Sequence, residues 1–151
     1  KIMTELSKNA QVPQCDKTTV MQSVILPNEL RIGNLVNCFG TREVIAIKKH
    51  KIKLQHESKH GNFIIEWCPI TSLSLKPIPL TEEWLLKFGF KIDETYVSEQ
   101  NPYLDYIKDE VRISMPYFSF EYGDGAFMEL NYVYQLQNLY FSLTARELTV
   151  A

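Results

Sequence analysis

An α+β fold is predicted for this 151-residue chain: two β-rich parts joined by a short helix and closed by a second one. Three observations carry the prediction. Short apolar segments with strand period recur at intervals of about ten residues, both before and after residues 81–89. Residues 81–89 themselves read as a helix with both ends marked. Thr81 stands at the N-cap, Glu82 and Glu83 set negative charge against the positive end of the helix dipole, and Gly89 can take the left-handed stop. Trp84, Leu85 and Phe88 share one face of that helix. Lastly, Val133, Leu136, Leu139, Tyr140 and Leu143 form a single stripe at helical spacing.

Residues 1–28 are polar, contain Pro13 and Pro27, and read as a flexible arm. Within it, Val24, Ile25 and Leu26 can add an edge strand or dock on a partner, and Met3 and Met21 are alternative starts of a shorter product. Strands are expected at 30–37, with Leu30 and Ile32 inward, then at 43–47, 51–55 and 63–67. A fifth is expected around Ile70, Leu73 and Leu75. Gly33 suggests a bulge or tight turn, Gly40 marks a turn, and His60-Gly61-Asn62 leads into the fourth strand. Pro77 and Pro79 end the run. Short strands at this spacing predict a small antiparallel barrel or a strongly bent sheet. The succession Gly33, Val36, Gly40 and Val44-x-x-Ile47 resembles the opening of many SH3-like barrels.

Beyond the linking helix, strands are expected at 90–97, 103–107, 111–115, 117–122 and 126–130. Turns fall at 98–102, 108–110 and 123–125, where Gly125 supplies positive φ. Pro116 cannot donate to a ladder and belongs at a strand end or edge. The result is an antiparallel meander with one aromatic face. The helix at 133–143, with Asn131 as its cap, covers that face, because a lone sheet must bury its apolar side. Thr144-Ala145-Arg146-Glu147 has capping-box form and is placed before a terminal strand at 148–150. The division is thus an arm at 1–28, a β part at 29–80 and a helix–meander–helix part at 81–151. The helix bearing Trp84 is expected to serve as common filling for both cores.

The totals bound the function. Apolar residues are 45% and charged residues 23%, the composition of a soluble globular protein and not of a disordered one. No apolar run approaches the roughly 20 residues of a membrane helix, and no leader-like segment opens the chain. Cys15, Cys38 and Cys68 are few, odd in number and widely spaced, which fits packed free thiols in a reducing compartment. The net charge of −2 hides a split: residues 1–81 carry eleven Lys/Arg against six Asp/Glu, and residues 82–151 carry five against twelve. Opposite halves of this kind either dock on each other or leave the basic half to meet an anion.

Three blocks together resemble an uncharacterised family of small proteins from Bacteroides-type bacteria and their phages and mobile elements. They are Leu30-Arg31-Ile32-Gly33-Asn34, then Pro77-Ile78-Pro79-Leu80-Thr81-Glu82-Glu83-Trp84-Leu85-Leu86-Lys87-Phe88-Gly89-Phe90, then Gln135-Leu136-Gln137-Asn138-Leu139-Tyr140-Phe141-Ser142-Leu143-Thr144. The resemblance covers residues 30–150. It implies a cytoplasmic bacterial or phage-borne protein and no particular activity. The family pattern often has Gly after the last Thr, where this chain has Ala145.

No catalytic constellation is legible: there is no phosphate loop, nucleophile elbow or His–Glu zinc helix. Asp105, Asp109, Glu110, Glu121, Asp124 and Glu129 fall at turns or on outward strand positions, where carboxylates are simply hydrated. His50, His56 and His60 cluster in sequence but straddle a strand and a turn, so they read as solvated loop residues before they read as zinc ligands. Cys38 and Cys68 sit among apolar residues as packed thiols. No cofactor is implied.

The first functional reading is therefore a non-catalytic protein-interaction or structural module, whose partner is another protein or a second copy. Tyr134 and Phe141, off the main stripe of the last helix, are the candidate interface. The alternative is a nucleic-acid-binding accessory protein. In that reading Lys48, Lys49, Lys51, Lys53 and Lys59 track a phosphate backbone, with Phe63 or Trp67 as a stacking face.

Overall fold

The computed structural model describes residues 25–96, 104–122 and 125–151. Residues 1–24 of the expected arm at 1–28, Cys15 and Val24 among them, lie outside the described residues, as do Asp124 and the turn at 98–102. Two antiparallel sheets make up most of what is described. The first runs in the order β4-β3-β2-β1-β5, from β1 (Leu35–Cys38), β2 (Thr41–Lys48), β3 (Lys51–Glu57), β4 (Phe63–Pro69) and β5 (Leu75–Lys76). It is a curled half-barrel. Its register shifts between Val44 and Ala46. A bulge of this kind adds local twist and lets a sheet bend around its own side chains.

Strand alternation builds the first core. Ile52 and Leu54 turn inward from β3 to meet Val36, Val44, Cys38, Cys68 and Leu75, while Lys51 and Lys53 turn out. The strand expected from residue 30 starts only at Leu35. Gly33, at φ +92°, makes a turn whose N–H donates to Val44 O, and Asn34 N–H donates to Arg31 O. Leu30 is buried by that turn, but Ile32 is left exposed, contrary to its expected inward position.

The short helix α1 (Glu82–Lys87) has Thr81 at its N-cap position, although the Thr81 side chain makes no cap hydrogen bond. Gly89, at φ +80°, ends it as expected. The second sheet then follows as a meander in the order β10-β9-β8-β7-β6. Its strands are β6 (Lys91–Ile92), β7 (Asp105–Lys108), β8 (Val111–Ser114), β9 (Ser119–Tyr122) and β10 (Ala126–Glu129). The strand expected over 90–97 is cut to two residues, because Asp93 Oδ1 accepts from Thr95 N–H and turns the chain into a 3₁₀ segment, Glu94–Tyr96. Pro116, after a cis bond from Met115, lies between β8 and β9.

The last helix, α2 (Val133–Thr144), closes both cores. Val133, Leu136 and Tyr140 enter the second core with Phe88, Phe90, Tyr106 and Ile113. Tyr134 enters the first core with Val36 and Val44. The helix starts after Tyr132, not after Asn131. The Gln135 side chain reaches back to accept from the N–H groups of Asn131, at 2.8 Å, and Tyr132, at 3.1 Å. Leu143, placed on the stripe by its spacing, is exposed.

The terminal strand at 148–150 does not form. Leu148 plugs the second core instead, and Ala151 N–H donates to Lys87 O. The expectation that α1 fills both cores is also corrected. Leu85 and Phe88 belong to the second core alone, with Trp84 packed half-buried against it. The reason is length: a six-residue helix has one apolar face to offer, whereas the twelve residues of α2 present side chains to two sides.

Candidate interaction surface

Pairing in the first sheet decides what its outer face presents. Lys48 stands opposite Lys51, Lys53 opposite Trp67, Gln55 opposite Ile65 and Glu57 opposite Phe63. Because side chains alternate across a strand, the residues opposite each other share a face. Phe63, Ile65 and Trp67 thus form one row on β4, with 66%, 50% and 39% of their surfaces exposed. Strand β4 is also an edge: β3 pairs with one side of it and no described strand with the other.

Three of the five candidate lysines gather at one end of this row. The Nζ atoms of Lys48 and Lys51 lie 4.9 Å from the Trp67 ring centroid, and that of Lys53 lies 5.8 Å away. The negative face of an indole attracts ammonium groups at these distances. Lys49 sits beside them in the β2–β3 turn, while Lys59 lies in the β3–β4 turn at the other end of β3. None of the five forms an ion pair with a described residue. Their mutual repulsion is offset only by the ring and by solvent, so the end of the hairpin is a concentrated positive patch.

The other candidates are placed elsewhere. Tyr134 is only 4% exposed; its hydroxyl donates to Glu29 Oε2 at 3.1 Å, and its ring stacks on Tyr132. Burial pushes that hydroxyl up to about 12, and the adjacent Glu29 carboxylate acts in the same direction. Phe141 is half-buried, with the Arg31 guanidinium 3.6 Å above its ring centroid. Tyr134 thus presents no open face, and Phe141 is half-covered beneath Arg31. Helical spacing showed that they leave the main stripe of α2, but it could not show what covers them.

His50 and His60 are exposed in separate turns, and His56 lies against Arg42. Arg42 Nη1 is also 3.2 Å from Glu66 Oε1. Cys38 and Cys68 are buried with their sulfurs 3.8 Å apart. Burial, and then the neighbouring Cys68 thiol, pushes Cys38 up to about 11, so it is a neutral packed thiol at ordinary pH. Asp109 accepts from the Tyr140 hydroxyl, and Asp105 pairs with Arg112 Nη1 at 3.1 Å. Glu121 and Glu129 stay exposed on the outer face of the second sheet.

Phe63 and Trp67 were visible from sequence as aromatic neighbours of the basic cluster. Ile65 was not singled out, although strict alternation through Phe63-Ile64-Ile65-Glu66-Trp67 carried the signal. Among the described residues no helix is long and apolar enough to cross a membrane. Comparison with known protein families, curated proteins and solved structures finds no match.

Proposed function

We propose that this chain is a non-catalytic interaction module and that a protein partner docks on the outer face and open edge of β4. The observation that carries the reading is the row Phe63, Ile65 and Trp67, exposed on an edge strand and flanked by unpaired lysines. Edge strands are ordinarily blunted by charge on the edge itself. Here the charge lies mainly on β2 and β3, and the edge is apolar. Added strands gain affinity from main-chain hydrogen bonds and specificity from alternate side chains, and this face offers both.

The order β4-β3-β2-β1-β5, in which β5 returns to pair with β1, supports an SH3-like reading of the half-barrel. The sequence blocks at 30–34, 77–90 and 135–144 are what supports the resemblance to proteins of Bacteroides-type bacteria and their phages. We read the protein as acting in the cytoplasm of such a cell.

Nucleic-acid binding is a second reading, favoured by the lysine cluster alone. Of the two rings that would stack on a base, Trp67 already holds three ammonium groups within 6 Å, and Phe63 lies at the far end of the row from them. One experiment separates the two. A photoreactive benzoylphenylalanine is placed at Phe63 and, as a control, at the exposed Leu86 of α1, in cells that make the protein. A discrete protein adduct at position 63 and none at 86 is expected. An adduct removed by nuclease selects the second reading, and no adduct at 63 contradicts both.

A further inference from the structure

The outer face of the second sheet is the chemical counterpart of the lysine–indole face. Asp105, Ser114, Ser119 and Glu129 stand in one row across β7, β8, β9 and β10, and Glu121 lies opposite Phe127. The two serines form a low floor between larger neighbours. The resulting groove, of about 520 Å³, is walled by Met115, Tyr117 and Phe127 and edged by Asp105, Glu121 and Glu129. Tyr117 and Phe127 are largely exposed. Asp105 is engaged by Arg112, but Glu121 and Glu129 form no ion pair with a described residue.

We infer that this acidic groove takes the Lys48–Lys51–Lys53–Trp67 face of a second copy of the chain, joining copies head to tail. The inference rests on the reading of the β2–β4 face as a docking surface, and it names the occupant. Two lysine faces stacked on each other would set cations against cations, and two grooves would set carboxylates against carboxylates. Only the mixed pairing matches charge with charge and exposed aromatic with exposed aromatic. The split of +5 and −7 between residues 1–81 and 82–151 runs the same way. Such a contact is heterologous: each copy keeps one face free, so growth continues until a ring closes or a filament forms.

The test is light scattering and sedimentation of the full chain over a concentration series. The wild type is expected to grow past the dimer at about 0.05 M salt and to lose at least tenfold in association constant at about 0.5 M, where screening is short-ranged. Lys51→Glu with Lys53→Glu, or Glu121→Lys with Glu129→Lys, is expected to give a monomer with an unchanged circular-dichroism spectrum. An equimolar mixture of these two variants pairs the native lysine face with the native groove and the reversed face with the reversed groove, and is expected to grow with the two variants alternating. All four changes in one chain restore growth.

A wild type that stays monomeric at low salt overturns the inference, as does a dimer indifferent to both pairs of changes. In either case a protein adduct of different mass at position 63 leaves the docking surface standing and removes only the second copy as occupant. Absence of any adduct there removes the surface as well.

Discussion

Gln137 is the residue on which the junction of the two sheets turns. It is 2% exposed, yet every polar atom of its amide is used. Its Oε1 accepts from Leu35 N–H at 2.8 Å, and its Nε2 donates to Gly33 O at 3.0 Å and to Leu148 O at 3.3 Å. One helical side chain thus satisfies the start of β1, the Gly33 turn and the C-terminal tail. Asn138 continues the join, donating to Glu29 O at 2.7 Å and accepting from Asn34 Nδ2 at 3.0 Å. Gln137→Leu keeps the volume but leaves three buried or partly buried backbone groups without this partner. It is expected to lower unfolding stability by about 3 kcal/mol, at about 1 kcal/mol or more per unmade bond. Chemical denaturation measures this, and a loss below about 1 kcal/mol means that water or a shifted chain serves those groups. The site was half-legible. Gln137 follows Val133 by four and precedes Tyr140 by three, so a polar residue sat on the buried stripe and asked for partners. The identity of those partners had no local signal, since Gly33 and Leu35 lie about a hundred residues earlier in the chain and Leu148 lies 11 residues later.

At the scale of elements, the end of α2 shows a local rule broken. Ala145 adopts φ +56° and ψ +22°, the left-handed conformation that glycine adopts without strain, and its N–H donates to Phe141 O. Thr144 assists, its hydroxyl donating to Tyr140 O and accepting from Arg146 N–H. Ala145→Gly relieves the Cβ clash at a site where no contact is lost. It is expected to raise stability by about 0.5–1 kcal/mol, a gain of a few degrees in melting temperature, measurable by calorimetry. An unchanged or lowered midpoint shows that the helix does not stop there in solution.

Element type was largely readable from residue pattern, since period-two and helical spacing survive without tertiary context. Lengths were less so. Ile32 and the stretch after Ile92 look like strand, but the turn at Gly33 and the Asp93–Thr95 hydrogen bond take the backbone out of the ladder. The terminal segment at 148–150 has strand composition, yet Leu148 finds more apolar surface in the second core than on any sheet edge. For the candidate site, the Lys48–Lys53 cluster and its aromatic neighbours were legible. Its geometry around Trp67 was not, because the pairing of Lys53 with Trp67 depends on the length of the β3–β4 connection.

For the molecule as a whole, two small cores are held by one shared helix, and among the described residues the Arg31–Glu147 pair, at 2.9 Å, is the ion pair that joins the two parts. The sheets meet through amides and buried tyrosine, leaving the lysines of the first and the carboxylates of the second on outward faces. The proposed docking uses those outward faces. The most direct measurement is hydrogen exchange, residue by residue, on protein dilute enough to be monomeric by light scattering. Amides of β3, and of β2 from Thr41 to Val44, have partners on both sides and are expected to exchange slowly. In β4, the amides of residues 63–68 that point away from β3 are expected to exchange near the unprotected rate, and to slow only when the concentration is raised or a partner is added. Full protection of those amides in the monomer would mean that the edge is already covered, and would contradict its role as the docking strand.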